Sequence, residues 1–346
     1  MCNLASRLIL LCAVLALDGI APASAADDAI SLRIVTFNAE LLSAPRVSPG
    51  RIVKYRFDDA RNQHLERVAA LVETLNADVF NLVEVTSREA VDSLVAKLHE
   101  KGLADYRGYH VDSHDSFTAG DVAVISKMRP DQIADQPIRT IYSPVDDPAW
   151  RQNFTFPNRE GGTSNGTSSL DRNSLYFFTI GGYKLGFLGL HLRSNPQDAY
   201  ANGKRSAEAE VARRVLRAEI VKRGYLPVVL GDLNDYDPDV PDRDPSRGTS
   251  TTVLRDLKDF DPDRPGAELV NVAERIVRVA DRYTSHWDRN ENRAHDGDDV
   301  YTMIDHILLP RELMPYVTRV FISHSVSVDT SDHYPVVVDL RLPVRQ

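Results

Sequence analysis

Cysteine is almost absent. The 346-residue chain has two, Cys2 and Cys12, both near the N-terminus. The body of the chain can therefore carry neither a disulfide framework nor a thiol nucleophile, and thiolate zinc sites are excluded. Positive charge is also in short supply: 41 lysines and arginines face 50 aspartates and glutamates, for a net charge of −9. That balance argues against a protein held to nucleic acid by bulk basic charge. It leaves room for an enzyme that meets phosphate through a bound cation. Glycine and proline are ordinary at 18 and 19 residues, and no long run of like charge occurs, so disorder, collagen and coiled coil are excluded.

The one long apolar run, Leu8–Leu17, is too short to cross a bilayer as a helix. Arg7 precedes it and the small-residue site Ala23-Ser24-Ala25 follows, which reads as a secretory signal over residues 1–25, cleaved after Ala25. No cysteine sits at that site to take a lipid, so no stable membrane anchor is expected. The destination is periplasm or extracellular space. Both cysteines leave with the leader, and an exported chain without disulfides must rely on a large core. The remaining 26–346, in a chain that is 42% hydrophobic and 26% charged, suits one soluble domain.

The mature chain mixes two periodicities. Leu32–Phe37, Val79–Val83 and Val122–Ser126 are short β-branched or apolar runs that predict strands. Ser174–Ile180 and Lys184–His191 flank Gly181-Gly182, a hairpin signal; Pro227–Gly231, Met303–Leu309, Val317–Ile322 and Pro335–Leu342 complete the set. Helical spacing follows Asp58 (Leu65, Val68, Ala69, Val72, Leu75) and recurs at Ala90–Leu98 and from Ala201 to Arg223. Alternating helices and strands with a hairpin predict mixed sheets covered by helices. Pro137–Asn173 is the longest stretch without periodicity and reads as a long functional loop.

Polar residues fall at the ends of these strands: Asn38, Glu84, His191, Asp232 with Asn234, Asp305, and Asp332 with His333. Strand ends are where ligands and catalytic groups gather in such sheets. Any one of them alone reads as a turn or cap residue; the full series does not. Carboxylate and amide oxygens are hard ligands suited to Mg²⁺ or Mn²⁺. Two histidines beside carboxylates supply proton chemistry near neutral pH. Together they point to metal-assisted phosphoester hydrolysis.

The pieces Thr36-Phe-Asn38, Asp78–Glu84, Gly120–Ser126, Gly189-Leu-His191, Gly231-Asp-Leu-Asn234, Met303-Ile-Asp305 and Ser331-Asp-His333-Tyr-Pro335 run almost the length of the mature chain. In this order they resemble the endonuclease/exonuclease/phosphatase superfamily, which includes pancreatic-type deoxyribonuclease, abasic-site endonucleases and secreted sphingomyelinases. The resemblance implies an α/β four-layer sandwich, two mixed sheets face to face with helices outside. It implies that Glu84 is the main metal carboxylate, supported by Asn38 and Asp332. Asp232 would orient or deprotonate the attacking water, Asn234 would hold it or a phosphoryl oxygen, and His333, fixed by Asp305, would contact the phosphate. His191 would serve as general acid, with Arg172 and Arg193 on the phosphate. In the deoxyribonuclease branch a Glu pairs with the equivalent of His191; none is found here, and Asp121 is the nearest candidate.

The expected protein is an exported, metal-dependent phosphodiesterase, a monomer that acts on DNA and on RNA as an alternative. A sphingomyelinase-like headgroup hydrolase, reaching lipid through Trp150, Phe154 and Phe156, and a phosphomonoesterase are the competing enzyme readings; a binding protein that has lost catalysis would lack a ligand or histidine, and the full set is present. Asp235–Asp239 and Asp288–Asn292 resemble the start of calcium loops, so structural Ca²⁺ is a lesser alternative to a solvated acidic loop. Gly162-Thr-Ser164-Asn-Gly166 matches a nucleophile elbow in letters but is expected to lack the strand and helix it needs. Arg213, Arg214 and Arg217 read as a solvated helix face, and His306 as a packing or surface residue.

Overall fold

The computed structural model describes residues 29–47, 50–115, 117–143, 148–195, 198–243, 251–292 and 296–345. The expected leader, with Cys2 and Cys12, lies outside the described residues. Strands in the first half are β1 (Ala29–Leu42), β2 (Val79–Val85), β3 (Arg107–Tyr109), β4 (Asp121–Ser126), β5 (Ile138–Arg139), β6 (Gln152–Pro157), β7 (Thr163–Ser168) and β8 (Asn173–Ile180). They continue with β9 (Tyr183–His191), β10 (Leu226–Asp232), β11 (Leu269–Asn271), β12 (Ser285–Trp287), β13 (Val300–Thr302), β14 (Asp305–Pro310), β15 (Val317–Ile322) and β16 (Val336–Pro343). The α-helices are α1 (Asp58–Leu75), α2 (Arg88–Glu100), α3 (Ala199–Val215) and α4 (Val253–Lys258).

Two six-stranded mixed sheets form, in the orders β15-β16-β1-β2-β4-β3 and β11-β14-β10-β9-β8-β5. One apolar cluster joins the facing sides of the sheets, with Ile34, Leu82, Phe187, Val228, Leu230 and Ile307, and runs beneath α1 and α2; a second lies between the other sheet and α3 and α4, with Leu188, Leu190, Val211, Val215, Val229 and Leu257. The four-layer sandwich expected from the resemblance is therefore what the chain forms. Because side chains alternate along a strand, the split between clusters gives each strand's inward parity. Leu185 and Phe187 face inward on β9, Val228 and Leu230 on β10, and Ile307 and Leu309 on β14. By the same count His191, Asp232 and Asp305, at the ends of these strands, also face the gap between the sheets.

Local chemistry accounts for most boundaries. Ser87 caps α2 by accepting the Ala90 N–H at 3.2 Å, and Asp198 caps α3 through the Ala201 N–H at 2.7 Å. The helix expected over Ala201–Arg223 is α3 followed by a π turn, Leu216–Ile220, and a 3-10 turn, Val221–Arg223. The long loop expected at Pro137–Asn173 is corrected: it contains β5 and the hairpin β6–β7. Its Asn/Thr/Ser composition hides the ribbon, because one face is polar and exposed. The other face packs Phe154 and Phe156 against Tyr200 of α3, ring centroids 5.6 and 5.0 Å away. Of the nucleophile-elbow letters, Thr163 to Gly166 fall within β7 and Gly162 just before it, in a largely exposed ribbon and not a strand-to-helix turn.

Two further expectations are also corrected. Arg213, Arg214 and Arg217 are not a solvated face: they donate to the carbonyls of Asp259, Ala149 with Arg151, and Phe260, tying loops to α3. In the first candidate calcium loop Lys258 Nζ lies 2.7 Å from Asp237 and 2.6 Å from Asp239, while Asp235 pairs with Arg205. A lysine ammonium occupies the place the cation would take. In the second, the Asn290 and Asn292 amides donate to Asp296 at 3.0 and 2.6 Å.

Candidate active site

One end of both sheets brings the strand-end residues together. In the second sheet, register sets Asp232 beside His191 on β9 and beside Asp305 on β14. In the first, β1 delivers Asn38 and β2 delivers Glu84; the loop before β16 delivers Asp332 and His333. Ser331 fastens that loop, donating to the Asn38 carbonyl at 2.7 Å and accepting the His333 N–H at 3.0 Å. Left-handed backbone at Glu40 (φ 49°), Leu41 (φ 55°), Glu84 (φ 61°) and Asn234 (φ 50°) clusters here, as strain does at functional sites. Gly231 is required for the turn into the site: at φ 135°, a Cβ there would lie 2.0 Å from the Leu190 carbonyl oxygen.

Within this cluster, two hydrogen bonds join one sheet to the other. Asn38 Nδ2 donates to Asp232 Oδ2 at 3.1 Å, and His333 Nδ1 lies 2.7 Å from Asp305 Oδ2. Around Asp232 Oδ2 stand His191 Nε2 at 3.6 Å and His333 Nε2 at 3.9 Å; His191 Nε2 is also 3.7 Å from Glu84 Oε1. The Asn234 N–H holds Asp232 Oδ1 at 3.0 Å, and its side-chain amide donates to the Leu192 carbonyl at 3.1 Å. Arg172 reaches the Leu192 carbonyl at 3.1 Å and lies 4.0 Å from Asp115. Asn38, Glu84, His191, Asp232, Asn234, Asp305 and His333 thus converge, with Arg172 at their edge. Asp332 stands at the rim, its side chain 51% exposed and 3.9 Å from His333 Nε2. Arg193 is exposed and its guanidinium makes no hydrogen bond or ion pair with them.

Burial and crowding of acids shape the electrostatics. Asp232 is pushed up to about 7, by burial first and then by the Asp305 charge, against the pull of His333. Burial also raises Glu84, with His333 opposing. For His333, burial acts downward, but Asp305 by charge and hydrogen bond, then Asp332 and Asp232, hold its imidazole well above the ordinary value. His191 moves the other way: burial, then Arg172 and His333, keep it well below and hence neutral. Its Nδ1 is buried without a hydrogen-bond partner, as is Asp305 Oδ1.

This donor set fits a hard divalent cation. Raised carboxylates facing one another are what a cluster of oxygens shows before a cation neutralises it. Asp232, Asp305 and His333 each bring a donor atom within 4.8 Å of the others, yet the Asp305–His333 hydrogen bond already engages one oxygen and one nitrogen. A second group of this kind, His110, Asp112 and Asp121, resolves Asp121: it bonds His110 at 2.8 Å and the Ser113 N–H at 2.9 Å, so it is not the partner of His191. His306 is buried, bonded to Asn271 and the Asp235 carbonyl. Glu40 was not anticipated. Its carboxylate accepts the Asp332 N–H at 3.0 Å and pairs with Lys54, and burial, then Asp332, pushes it up to about 7.

No curated protein matches the sequence. Among solved structures, an AP endonuclease from Archaeoglobus fulgidus superposes with a TM-score of 0.56 at 17% identity, over 89% of this chain and 98% of that one. Truncated TDP2 from Caenorhabditis elegans gives 0.51 at 17%, over 90% and 97%. TDP2 from D. rerio, complexed with single-strand DNA product, gives 0.50 at 14%, over 89% and 98%. At these identities the likeness is one of fold. The sequence profile that matches, over residues 35–333, spans every strand-end residue from Asn38 to His333, and the chain belongs to the Endonuclease/Exonuclease/phosphatase family.

Proposed function

We propose that this chain is an exported, divalent-metal-dependent phosphodiesterase: an endonuclease that hydrolyses DNA, with RNA as a second substrate, by attack of water on phosphorus. The observation that carries the reading is Asp232 Oδ2, held by Asn38 at 3.1 Å and flanked by two histidine Nε2 atoms at 3.6 and 3.9 Å. An AP endonuclease and a TDP2 bound to DNA product among proteins of like fold support a nucleic-acid substrate. Export rests on the leader, and N-terminal sequencing of the secreted protein would find Ala26 first.

A Mg²⁺ or Mn²⁺ ion held by Glu84, Asn38 and Asp332 would neutralise charge developing on the phosphoryl oxygens. The side chains then divide the remaining work. Asp232, oriented by the Asn38 amide and the Asn234 N–H, accepts the proton of the attacking water. His333 is protonated at neutral pH and aligned by Asp305, so its Nε2–H serves the phosphate and the leaving oxygen. His191 is neutral, with Nε2 facing Asp232 and Glu84 at 3.6 and 3.7 Å, which leaves His333 as the stronger acid. Arg172 offers charge at the cluster's edge and Arg193 at its rim.

A lipid-headgroup hydrolase needs an exposed apolar element to reach its substrate; of the aromatics expected to supply one, Phe154 and Phe156 are packed on Tyr200 and Trp150 is partly buried against the core on the α3 side. The test is purified protein with supercoiled plasmid, and separately with sphingomyelin vesicles and a phosphomonoester. Each is run with Mg²⁺, with chelator, and as Asp232→Ala. Metal-dependent nicking that the variant loses is the expected result. An intact plasmid with release of headgroup or inorganic phosphate would overturn the nuclease reading.

A further inference from the structure

Helix α3 carries two buried charged side chains that the catalytic cluster does not use. Arg205 is 0% exposed and Glu208, three residues on, is 3% exposed. Between them they grip one residue. Glu208 Oε2 accepts the Arg193 N–H at 2.8 Å, and Arg205 Nη1 donates to the Arg193 carbonyl at 2.8 Å. Arg193 lies two residues beyond His191, ~7 Å of extended chain, in a segment without helix or strand. It is thus pinned at both backbone polar groups, while its own guanidinium is exposed and makes no hydrogen bond or ion pair among the described residues.

The same Arg205 ties in the other catalytic loop. Its Nε lies 3.2 Å from Asp235 Oδ2, with both side chains 0% exposed, and a further nitrogen donates to Asn202 at 2.5 Å. Asp235 directly follows Asn234. One guanidinium therefore joins the segments leaving β9 and β10 through its fork of donors. Apolar residues would hold a helix on a sheet at least as well as buried charges; what the charges add is direction, because each bond fixes a particular peptide. A loop pinned this way around a free arginine is a presented cation.

We propose that Arg205 and Glu208 are positioning residues that present the Arg193 guanidinium as a fixed contact for a phosphate flanking the scissile one on a polynucleotide. The inference rests on the phosphodiesterase reading above and extends it to the residues that hold the rim. A phosphate diester is the chemistry an unpaired guanidinium recognises best in this setting, through two parallel N–H···O bonds.

The experiment compares a short oligodeoxynucleotide, which has flanking phosphates, with bis(p-nitrophenyl) phosphate, which has none. The quantity read is the ratio of the two kcat/KM values. Arg193→Ala should lower that ratio about tenfold, the loss of one charge-assisted contact. Glu208→Leu should lower it alike, and Glu208→Gln, whose amide oxygen can accept the same N–H, should restore most of it. Amide exchange at Arg193 should quicken in Glu208→Leu and not in Glu208→Gln. If Glu208→Leu does not fold, Arg205→Lys keeps a charge opposite Asp235, loses the fork, and should lower the same ratio. A variant that slows both substrates equally, or leaves the ratio unchanged, overturns the positioning role. A wild-type protein inactive on both substrates with metal present overturns the phosphodiesterase reading itself, and that failure is recognised before any ratio exists.

Discussion

Replacing Asp305 by asparagine isolates one charge at the centre of the proposed chemistry. Asp305 is 0% exposed and its Oδ2 lies 2.7 Å from His333 Nδ1. Burial alone pushes His333 down, and the Asp305 charge is the largest influence holding it up. At an effective dielectric near 20, unit charges about 4 Å apart interact by ~4 kcal/mol, which corresponds to ~3 pKa units. Asparagine keeps the shape and can still accept the Nδ1–H, but it removes that charge. His333 should then titrate lower than in the wild-type protein, its protonated fraction at neutral pH should fall, and kcat should fall with it. The sign is definite: the active form is protonated, so the alkaline limb of the pH–rate profile moves to lower pH and the variant regains activity as the pH is lowered. Turnover of bis(p-nitrophenyl) phosphate across pH, with the His333 resonance titrated by NMR, measures both quantities. A variant with wild-type kcat at pH 7, or with its alkaline limb unmoved, would refute His333 as the proton donor.

Further outcomes follow from the same geometry. Burial pushes His64, on α1 beneath the 330–333 loop, down to about 3 from 6.5. The unfolded chain therefore takes up a proton that the folded chain refuses, and stability falls as pH drops from 6.5 toward 3, by up to ~1.4 kcal/mol per pH unit. His64→Gln, which can donate to the Thr330 carbonyl as His64 does at 2.7 Å, should flatten that part of the urea-denaturation pH profile relative to wild type; parallel profiles would contradict the assignment. Glu84→Gln should weaken Mn²⁺ binding in calorimetry by at least about tenfold, and an unchanged isotherm would remove Glu84 from the ligand set. Gly231→Ala should cost at least ~2 kcal/mol in unfolding free energy, since its φ of 135° and the 2.0 Å approach to Leu190 both resist a Cβ; a loss under ~0.5 kcal/mol would mean that the turn relaxes freely.

Much of this was legible because the catalytic row is written at strand ends. An apolar run followed by Asn38, His191 or Asp232 declares both the strand and the place where it opens, and the motifs kept their order in the chain. Glu40 escaped because the first strand was expected to stop at Asn38. It runs on to Leu42 through a register shift, with left-handed residues at Glu40 and Leu41, and nothing in an Ala-Glu-Leu-Leu run announces that turn. The β6–β7 hairpin escaped for a different reason. Thr163–Ser168 contains no apolar residue, so a ribbon whose aromatic packing comes from Phe154 and Phe156 on its partner reads as loop. Arg205, Glu208, Arg213, Arg214 and Arg217 look in sequence like the charged outer face of α3. Each has a partner in a distant loop, a backbone carbonyl or amide and for Arg205 also the Asp235 carboxylate, which no spacing along the helix can reveal.

The site divides its labour between the two sheets. The first supplies Asn38, Glu84 and the Asp332-His333 loop; the second supplies His191, Asp232 and Asp305. Neither set is complete alone, and the Asn38–Asp232 and His333–Asp305 bonds close the gap at 3.1 and 2.7 Å. Deeper in the same gap, Tyr176 of β8 donates to Asn81 of β2 at 3.3 Å, and Asn81 donates to Thr36 of β1 at 3.2 Å. Asn81 fits only because residue 189 is glycine, where a Cβ would lie 2.2 Å from its Oδ1. The spacing of the sheets is therefore set by polar contacts that continue the catalytic row inward, and not by apolar packing alone. Since a misplacement of about 1 Å can cost ~10²-fold in rate, these buried contacts would act on the proposed catalysis through distance. A site whose groups come from two separate sheets has to specify the gap between them as closely as the groups themselves.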